Sequence, residues 1–227
     1  VLLNGNQTAL MFVYYLITRW KELGKINGKE YIVKTIVTTE TIKTIAERNG
    51  VEMYDVYTGF KWIANVMREN EGKKNYIGGG EESYGFLCED FVRDKDAVSA
   101  CVILAEIAAW AKDQGLSLYQ LLQKIYVEYG FSKEKGISVV KKGKSGAEEI
   151  EAMMKKFREN PLTEIAGSKV TYFYDYSTLK GKDYAENETV TLDMPTTSNV
   201  LQYFTEDNTK VSIRPSGTEP KIKFYCE

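Results

Sequence analysis

The first 130 residues alternate between short β-branched segments and longer segments with helical periodicity, which is the strongest constraint on the fold. Strand-like segments lie at 31–39, at 51–59 and just before Gly78, and helical segments lie at 6–20, 40–50, 60–70, 94–113 and 117–129. A helix between two strands acts as a crossover connection, and it allows those strands to run parallel. The pattern predicts an α/β domain with α/β/α layers and a mixed, mostly parallel sheet.

The pattern changes after Gly130. Residues 136–143 are typical of a strand, and a helical segment at 148–160 follows Ser145 and Glu148, which have the spacing of a capping box. Further strand-like segments lie at 169–178, 199–206, 210–215 and 221–227. Strands in direct succession favour antiparallel pairing. We predict a second, α+β domain with an antiparallel sheet, and domain limits of 1–130 and 131–227.

Composition excludes several kinds of protein. The chain has no histidine, so it contains neither a Ser-His-Asp triad nor a zinc site with histidine ligands. Three scattered cysteines do not form a disulfide framework, which favours a reducing, cytoplasmic location. The net charge of −2 argues against a nucleic-acid partner. The apolar stretch at 98–111 is interrupted by Glu106, which argues against a membrane span.

Three polar segments follow the predicted strands of the first domain, where parallel sheets bind their ligands: Thr38–Thr39, Thr58–Lys61 and Gly78–Gly85. The third contains three glycines followed by two glutamates and a serine. It is either a flexible surface loop or an ordered binding loop, and the strand before it and the aromatic residues after it favour order. Carboxylate and hydroxyl groups suit a ligand rich in hydroxyl groups. Because Glu81 and Glu82 are adjacent, they do not suit the two flanking carboxylates of a glycosidase.

The segment IRPSGTEPKI at 213–222 also allows two interpretations. One is a simple type I turn at Arg214–Gly217. The other is an anion site, in which backbone N–H groups and the Ser216 and Thr218 hydroxyls donate to a phosphate and Arg214 supplies a fixed charge. A hydroxyl-binding loop in one domain and an anion-binding loop in the other would together suit a sugar phosphate.

Three motifs carry a resemblance to a known family. GGGEESYG at 78–85 resembles the sugar-binding loop of the α-D-phosphohexomutases, and RPSGTEPKIKFY at 214–225 resembles their phosphate-binding loop. TGFKWI at 58–63 resembles a loop in the third domain of the phosphoglucomutase and phosphomannomutase branch. The resemblance covers nearly the whole chain and implies the third and fourth domains of a four-domain enzyme.

The resemblance also implies roles for individual residues. Glu81 and Ser83, with Gly80 beside them, would bind sugar hydroxyls, and Thr58, Gly59 and Lys61 would line the cleft. The non-reacting phosphate would be held by Arg214, Ser216, Gly217 and Thr218. No catalytic residue and no metal ligand is expected in this chain.

The family interconverts hexose 1-phosphate and hexose 6-phosphate through a hexose 1,6-bisphosphate, using a phosphoserine and Mg²⁺. The phosphoserine loop and the Asp-x-Asp-x-Asp-Arg magnesium loop of the family do not occur in this sequence. We therefore expect a C-terminal portion, inactive by itself, whose partners are a hexose phosphate and the N-terminal domains. The alternatives are a portion of a phosphopentomutase or phosphoglucosamine mutase, or a sugar-phosphate-binding protein without catalytic activity.

Overall fold

Two units make up the structure, one ending at Ser132 and the other beginning at Lys133. The structure is a computed structural model that describes residues 2–141, 143–217 and 219–227. The predicted domain limits, and the sugar-binding and phosphate-binding roles of the two domains, stay predictions.

The first unit is built on a sheet of four strands with helices on both faces. Its elements are, in chain order, α1 (Gly5–Glu22), β1 (Glu30–Thr35), α2 (Thr41–Arg48), β2 (Glu52–Val56), α3 (Phe60–Asn70), β3 (Asn75–Gly80), β4 (Phe86–Cys88), α4 (Ala97–Asp113) and α5 (Leu118–Tyr129). The strand order is β2-β1-β3-β4, in which β1 pairs parallel with β2 and β3, and β4 pairs antiparallel with β3. The predicted α/β/α class with a mixed, mostly parallel sheet is confirmed.

The central strand β1 contributes to two hydrophobic cores because successive side chains point to opposite faces. Ile32 packs with α1, α2, α4 and α5 on one face, whereas Tyr31 and Val33 pack with α3 on the other. All six residues of β1 are buried, including the charged Glu30 and Lys34 near its ends. A strand covered on both faces needs local partners for such charges.

The glycine run is part of the sheet, which corrects the predicted start of the loop. Gly78, Gly79 and Gly80 are the last three residues of β3 and are buried. A β-carbon on Gly79 would lie 2.2 Å from the backbone oxygen of Val33 and 2.8 Å from Oη of Tyr76, and one on Gly78 would lie 3.0 Å from Cδ1 of Leu16. These glycines therefore contribute to the core by allowing close approach, and the loop is confined to Glu81–Gly85.

Gly79→Ala tests this close approach. We expect it to lower the free energy of unfolding by about 2–3 kcal/mol, because the added methyl group forces a buried strand away from its neighbour. Urea unfolding followed by circular dichroism measures the change. The matched control is Gly136→Ala in a strand of the second unit, where no atom lies within 4 Å of the added carbon. An equal, small effect of both substitutions would contradict this packing role.

Glu30 is held at the start of β1 by several hydrogen bonds. Its Oε2 accepts from the backbone N–H groups of Asn27, Gly28 and Lys29 at 2.8, 2.9 and 3.1 Å, and its Oε1 accepts from the Asn75 side chain at 3.0 Å. Burial raises the pKa of Glu30, but the hydrogen bonds from Asn75, Asn27 and Gly28 outweigh burial and leave the pKa below its usual value. The ionised carboxylate thus stabilises the turn before β1.

Because the pKa of Glu30 is lower in the folded state, its stabilising contribution is present above the unfolded pKa and is lost as the pH falls through the folded pKa. We expect Glu30→Gln to cost about 1–3 kcal/mol of unfolding free energy near pH 7, with the difference from wild type shrinking as the pH falls through the lowered pKa of Glu30. Urea titrations of both proteins across this range measure it. A difference that does not depend on pH would show that ionisation of Glu30 is unimportant.

The second unit has an antiparallel sheet covered by one long helix. Its elements are, in chain order, β5 (Lys135–Val140), α6 (Gly143–Glu159), β6 (Glu164–Ile165), β7 (Ser168–Asp175), β8 (Lys180–Asp183), β9 (Glu188–Thr191), β10 (Leu201–Thr205), β11 (Lys210–Pro215) and β12 (Lys221–Cys226). The strands follow the order β5-β12-β11-β10-β7-β8-β9, and β6 pairs with β7. The predicted α+β class with an antiparallel sheet is confirmed.

Two local predictions for the second unit were wrong. The short strands β6, β8 and β9 were not predicted, because segments such as 180–183 (KGKD) lack the apolar alternation of a strand. The capping box at Ser145 is not formed, because α6 already begins at Gly143. Gly146 allows this early start, since a β-carbon there would lie 2.4 Å from the backbone oxygen of Lys141.

Among the described residues, no helix is long and apolar enough to cross a membrane.

Candidate functional site

The carboxyl ends of the three parallel strands bring the polar segments of the first unit together. Thr35 pairs with Val56 and Lys34 pairs with Gly80, so β1, β2 and β3 end at one edge of the sheet. The strand predicted at 31–39 ends earlier, at Thr35, because the chain turns there: the N–H of Thr38 donates to the oxygen of Thr35 at 2.9 Å. The predicted meeting of these segments at one edge is thus observed.

Glu81 joins the two loops that follow β2 and β3. Its Oε1 accepts a hydrogen bond of 2.7 Å from the backbone N–H of Gly59, the residue before α3. Gly59 has a φ of 109°, a backbone conformation that glycine adopts at little cost. Within the part of the chain that the structure describes, no protein donor contacts Oε2 of Glu81. One carboxylate oxygen is therefore used to fix the loop, and the other is available to a ligand.

The loop Glu81–Gly85 is ordered by contacts on several sides. The N–H of Glu81 donates to the oxygen of Gly85 at 2.8 Å, and Oγ1 of Thr35 donates to Oε2 of Glu82 at 3.4 Å. Oη of Tyr84 donates to the backbone oxygen of Leu3 at 3.0 Å. A β-carbon on Gly5 would overlap the backbone oxygen of Glu82, so α1 also packs tightly against the loop. Ser83 is exposed at the apex.

The link between Glu81 and Gly59 can be tested without a ligand. We expect Glu81→Ala to accelerate hydrogen exchange of the Gly59 amide at least about 10-fold, because the amide loses its acceptor. Glu82→Ala is the matched control, since Glu82 does not bond to Gly59. Exchange is measured residue by residue by NMR. If Glu81→Ala leaves the Gly59 amide as protected as in the wild type, the two loops are not coupled through this carboxylate.

The other predicted residues of the first unit differ in their surroundings. Gly80 is buried in β3, where a β-carbon would lie 2.4 Å from the oxygen of Gly85, so its role in the structure is to close the hairpin. Thr58 is half-buried beside Gly59. Lys61 is exposed on the first turn of α3, and its ammonium lies 5.0 Å from the ring centre of Trp62. Ligand contact by each of these residues stays a prediction.

Thr38 and Thr39, which the sequence also indicated, are buried in the turn after β1. Oγ1 of Thr38 lies 2.8 Å from Oγ1 of Thr35, and the N–H of Thr39 donates to Oδ1 of Asn6 at 3.0 Å. Both threonines therefore hold the turn in place, and ligand binding by this segment stays a prediction.

The sequence analysis missed two lysines beside this edge. Lys34 is buried and forms ion pairs with Asp55 at 2.7 Å and Glu40 at 3.0 Å. Burial lowers the pKa of Lys34, but the charges of Asp55 and Glu40 outweigh burial and raise the pKa above its usual value. A lysine within the apolar stretch YIVKTIV was the available signal.

Lys95 lies against the loop that contains Glu81. A β-carbon on Gly85 would lie 3.0 Å from Cδ of Lys95 and 3.3 Å from Oε2 of Glu81, so both side chains border the same glycine. The ammonium of Lys95 lies 5.8 Å from the ring centre of Phe60, the first residue of α3. No pattern in the sequence marks this lysine, because only the folded hairpin brings it to the loop.

The phosphate-binding candidates of the second unit lie on a hairpin. Arg214 is half-buried near the end of β11. The N–H of Ser216 donates to the oxygen of Lys221 at 2.8 Å, and the N–H of Glu219 donates to Oγ of Ser216 at 3.3 Å. Gly217 is exposed at the tip, and Thr218 lies outside the described residues. The type I turn predicted at Arg214–Gly217 is wrong, because Arg214 and Pro215 still belong to β11 and pair with Lys223 and Ile222, so the strand ends only after Pro215. Anion binding stays a prediction.

The family is established by comparison with known proteins. Residues 4–129 match the family model "Phosphoglucomutase/phosphomannomutase, alpha/beta/alpha domain III". This match covers more than half of the chain and includes every element of the first unit. The protein belongs to the phosphoglucomutase/phosphomannomutase family.

Curated relatives agree with this assignment. The chain is 38% identical over 222 residues to a phosphoglucomutase of Staphylococcus aureus (strain bovine RF122 / ET3-1) and 34% identical over 222 residues to a phosphoglucomutase of Staphylococcus haemolyticus. Each alignment covers 98% of this chain but 39% of the relative. The chain therefore spans about two fifths of the length of these phosphoglucomutases.

Solved structures share the fold. The open form of pp63/parafusin, a phosphoglucomutase of Paramecium, aligns with a TM-score of 0.64 and 18% identity, over 99% of this chain and 36% of that chain. A putative phosphomannomutase of Thermus thermophilus aligns with a TM-score of 0.61 and 17% identity, over 98% of this chain and 36% of that chain. At such identities the comparison supports the fold alone.

Proposed function

We propose that this chain is the sugar-phosphate-binding portion of a phosphohexomutase that interconverts hexose 1-phosphate and hexose 6-phosphate. The observation that carries the proposal is the fixed position of Glu81 at the carboxyl edge of the sheet, with one oxygen bonded to Gly59. An ionised carboxylate accepts two hydrogen bonds from vicinal hydroxyls, and a carboxylate that is already held loses little entropy on binding. Ser83 at the apex of the same loop adds a hydroxyl that can donate or accept.

The charges around the two loops support a phosphorylated sugar. Lys95 supplies a cation beside Glu81 in the first unit, and Arg214 supplies one on the hairpin of the second unit. A sugar phosphate presents hydroxyl groups to a carboxylate and a phosphate to a cation. In such a mutase the hexose 1,6-bisphosphate has to bind in two orientations, so that either of its two phosphates can be transferred. Groups that position the sugar in both orientations therefore contribute more to catalysis than one reactive side chain does.

We assign the phosphoryl-transfer chemistry to domains outside this chain. Among the described residues, no group of three or more Asp, Glu, Cys or His side chains is placed to hold a metal ion. The residues present therefore do not fit the Mg²⁺ that the family implies, and we assign this chain no step that uses it. We propose that Mg²⁺, the phosphoserine and the hexose 1,6-bisphosphate intermediate act in a cytoplasmic parent enzyme, on domains that precede this portion.

Binding by the chain itself tests the proposal. We expect glucose 6-phosphate to bind at least about 10-fold more tightly than free glucose or inorganic phosphate, because only the sugar phosphate engages both the carboxylate of Glu81 and the ammonium of Lys95 beside it. Isothermal titration calorimetry or NMR shift titration measures the affinities. Glu81→Ala should remove the advantage over phosphate, whereas Lys95→Ala should remove the advantage over glucose. Glu82→Ala and Lys135→Ala are the matched controls.

The same preparation is expected to leave glucose 1-phosphate unconverted. Binding of glucose 6-phosphate that is no tighter than binding of inorganic phosphate would overturn the proposed sugar site. Turnover by the purified chain, free of host mutase, would overturn the assignment of the chemistry to other domains. An equal loss of affinity in Glu81→Ala and Glu82→Ala would show that the loop acts only through its fold.

A further inference from the structure

An open cleft lies on the surface of the first unit, between the start of α1 and the outer face of α5. Its volume of about 440 Å³ is within the range of small-molecule sites in proteins. Three aromatic rings, two side-chain amides and a leucine line it: Tyr119, Tyr126, Phe131, Gln7, Gln123 and Leu122. None of its lining residues belongs to the loop Glu81–Gly85, so the cleft is distinct from the candidate site at the edge of the sheet.

Two of the aromatic rings in the cleft are largely exposed. Tyr119 is 57% exposed and Phe131 is 73% exposed, whereas Leu122 is buried. The ring of Phe131 lies edge-to-face with that of Tyr126, with 5.0 Å between the ring centres. Single exposed apolar residues are common on protein surfaces, but here three rings border one concave space. A flat ligand stacked on these rings would remove a large apolar area from water.

The two amides of the cleft have hydrogen-bonding groups that the protein does not use. Oε1 of Gln7 accepts from the backbone N–H of Asn4 at 3.0 Å, which holds this amide on the first turn of α1. In the part of the chain that the structure describes, the side-chain N–H groups of Gln7 have no protein acceptor, and the side chain of Gln123 forms no hydrogen bond. Both amides can therefore bond to a ligand.

The lining of the cleft has no charge. Among the described residues, all those that border the cleft are uncharged at neutral pH. A phosphate or a carboxylate that entered it would lose hydration without gaining an opposite charge, so the lining complements an uncharged ligand. The rings favour a flat aromatic ligand over a sugar, because the hydroxyl groups of a sugar need more hydrogen-bonding partners than two amides supply.

We propose that this cleft is a binding site for an uncharged purine, either a free base or a nucleoside. The amide of Gln123 offers a donor and an acceptor side by side, and this pair matches N7 and the 6-amino group of adenine. Gln7 donates to a further nitrogen of the base, and the rings of Tyr119 and Phe131 stack on its faces. The inference does not depend on the proposed function, because the two sites have different residues and different chemistry.

Adenosine is the probe that tests this site. We expect it to bind at least about 10-fold more tightly than glucose, because only adenosine has a flat aromatic face that stacks on the rings. Purine riboside lacks the 6-amino group, and it should bind about 5-fold more weakly than adenosine because one hydrogen bond is lost. Isothermal titration calorimetry or NMR shift titration measures the three affinities.

Variants of exposed residues separate recognition from folding. Phe131→Ala and Gln123→Leu should each weaken adenosine binding by about 10-fold, through loss of stacking and of the amide pair. Gln123→Leu should also bind adenosine and purine riboside equally, a result that a purely structural role would not produce. Phe91→Ala and Gln114→Leu are the matched controls, because both residues are exposed and lie outside the cleft. They should change the affinity by less than about twofold.

The position of the bound probe gives the deciding outcome. Adenosine should shift the NMR signals of backbone amides in α5 and in the first turn of α1, and it should leave the Gly59 amide unchanged. Adenosine binding no tighter than glucose binding would overturn the inference, and so would shifts centred on the loop Glu81–Gly85. A concentration-dependent dimer that Phe131→Ala dissociates would also overturn it, because the cleft would then be an interface between two copies of the chain.

Discussion

Burial of the central strand β1 on both faces is the constraint on which the first unit depends. A charge without water costs several kcal/mol unless partners compensate it, and β1 carries one charge near each end. At one end, backbone N–H groups surround Glu30; at the other, Asp55 and Glu40 pair with Lys34. Asp55 lies on β2 and Glu40 precedes α2, so satisfying Lys34 also fixes the connections at the edge where the candidate site lies.

The candidate site at this edge of the sheet has a fixed conformation because several parts of the first unit contact its loop. The loop at Glu81 is short because β3 continues through all three glycines, and it is held by α1, by Thr35 and by Gly59. Because these contacts come from three separate parts of the first unit, the Glu81 carboxylate is held in position without a bound ligand. A site that is ordered in advance loses less entropy on binding.

Much of the architecture could be predicted from the sequence because it depends on periodicity. The long helices and the buried strands have clear apolar patterns, so the class of both units was predicted. The family was indicated instead by the resemblance of the motifs at 58–63, 78–85 and 214–225. The strands β6, β8 and β9 were missed because they are short and polar, and they exist only through pairing with neighbouring strands. The glycine run was assigned to a loop because the sequence does not reveal that Val33, Tyr76 and Leu16 approach those glycines closely.

The sequence by itself determined the class of the fold, the family and the motifs at 78–85 and 214–225, since each is encoded in residues that are near one another in the chain. Only the tertiary structure decided that Gly59 binds Glu81, that Lys95 reaches Gly85 and that Lys223 opposes Arg214. Those contacts depend on strand register and on hairpin geometry, and a shift of one residue in register would move each side chain to the opposite face. The pairing of the strands, rather than any local pattern, therefore sets which charges meet.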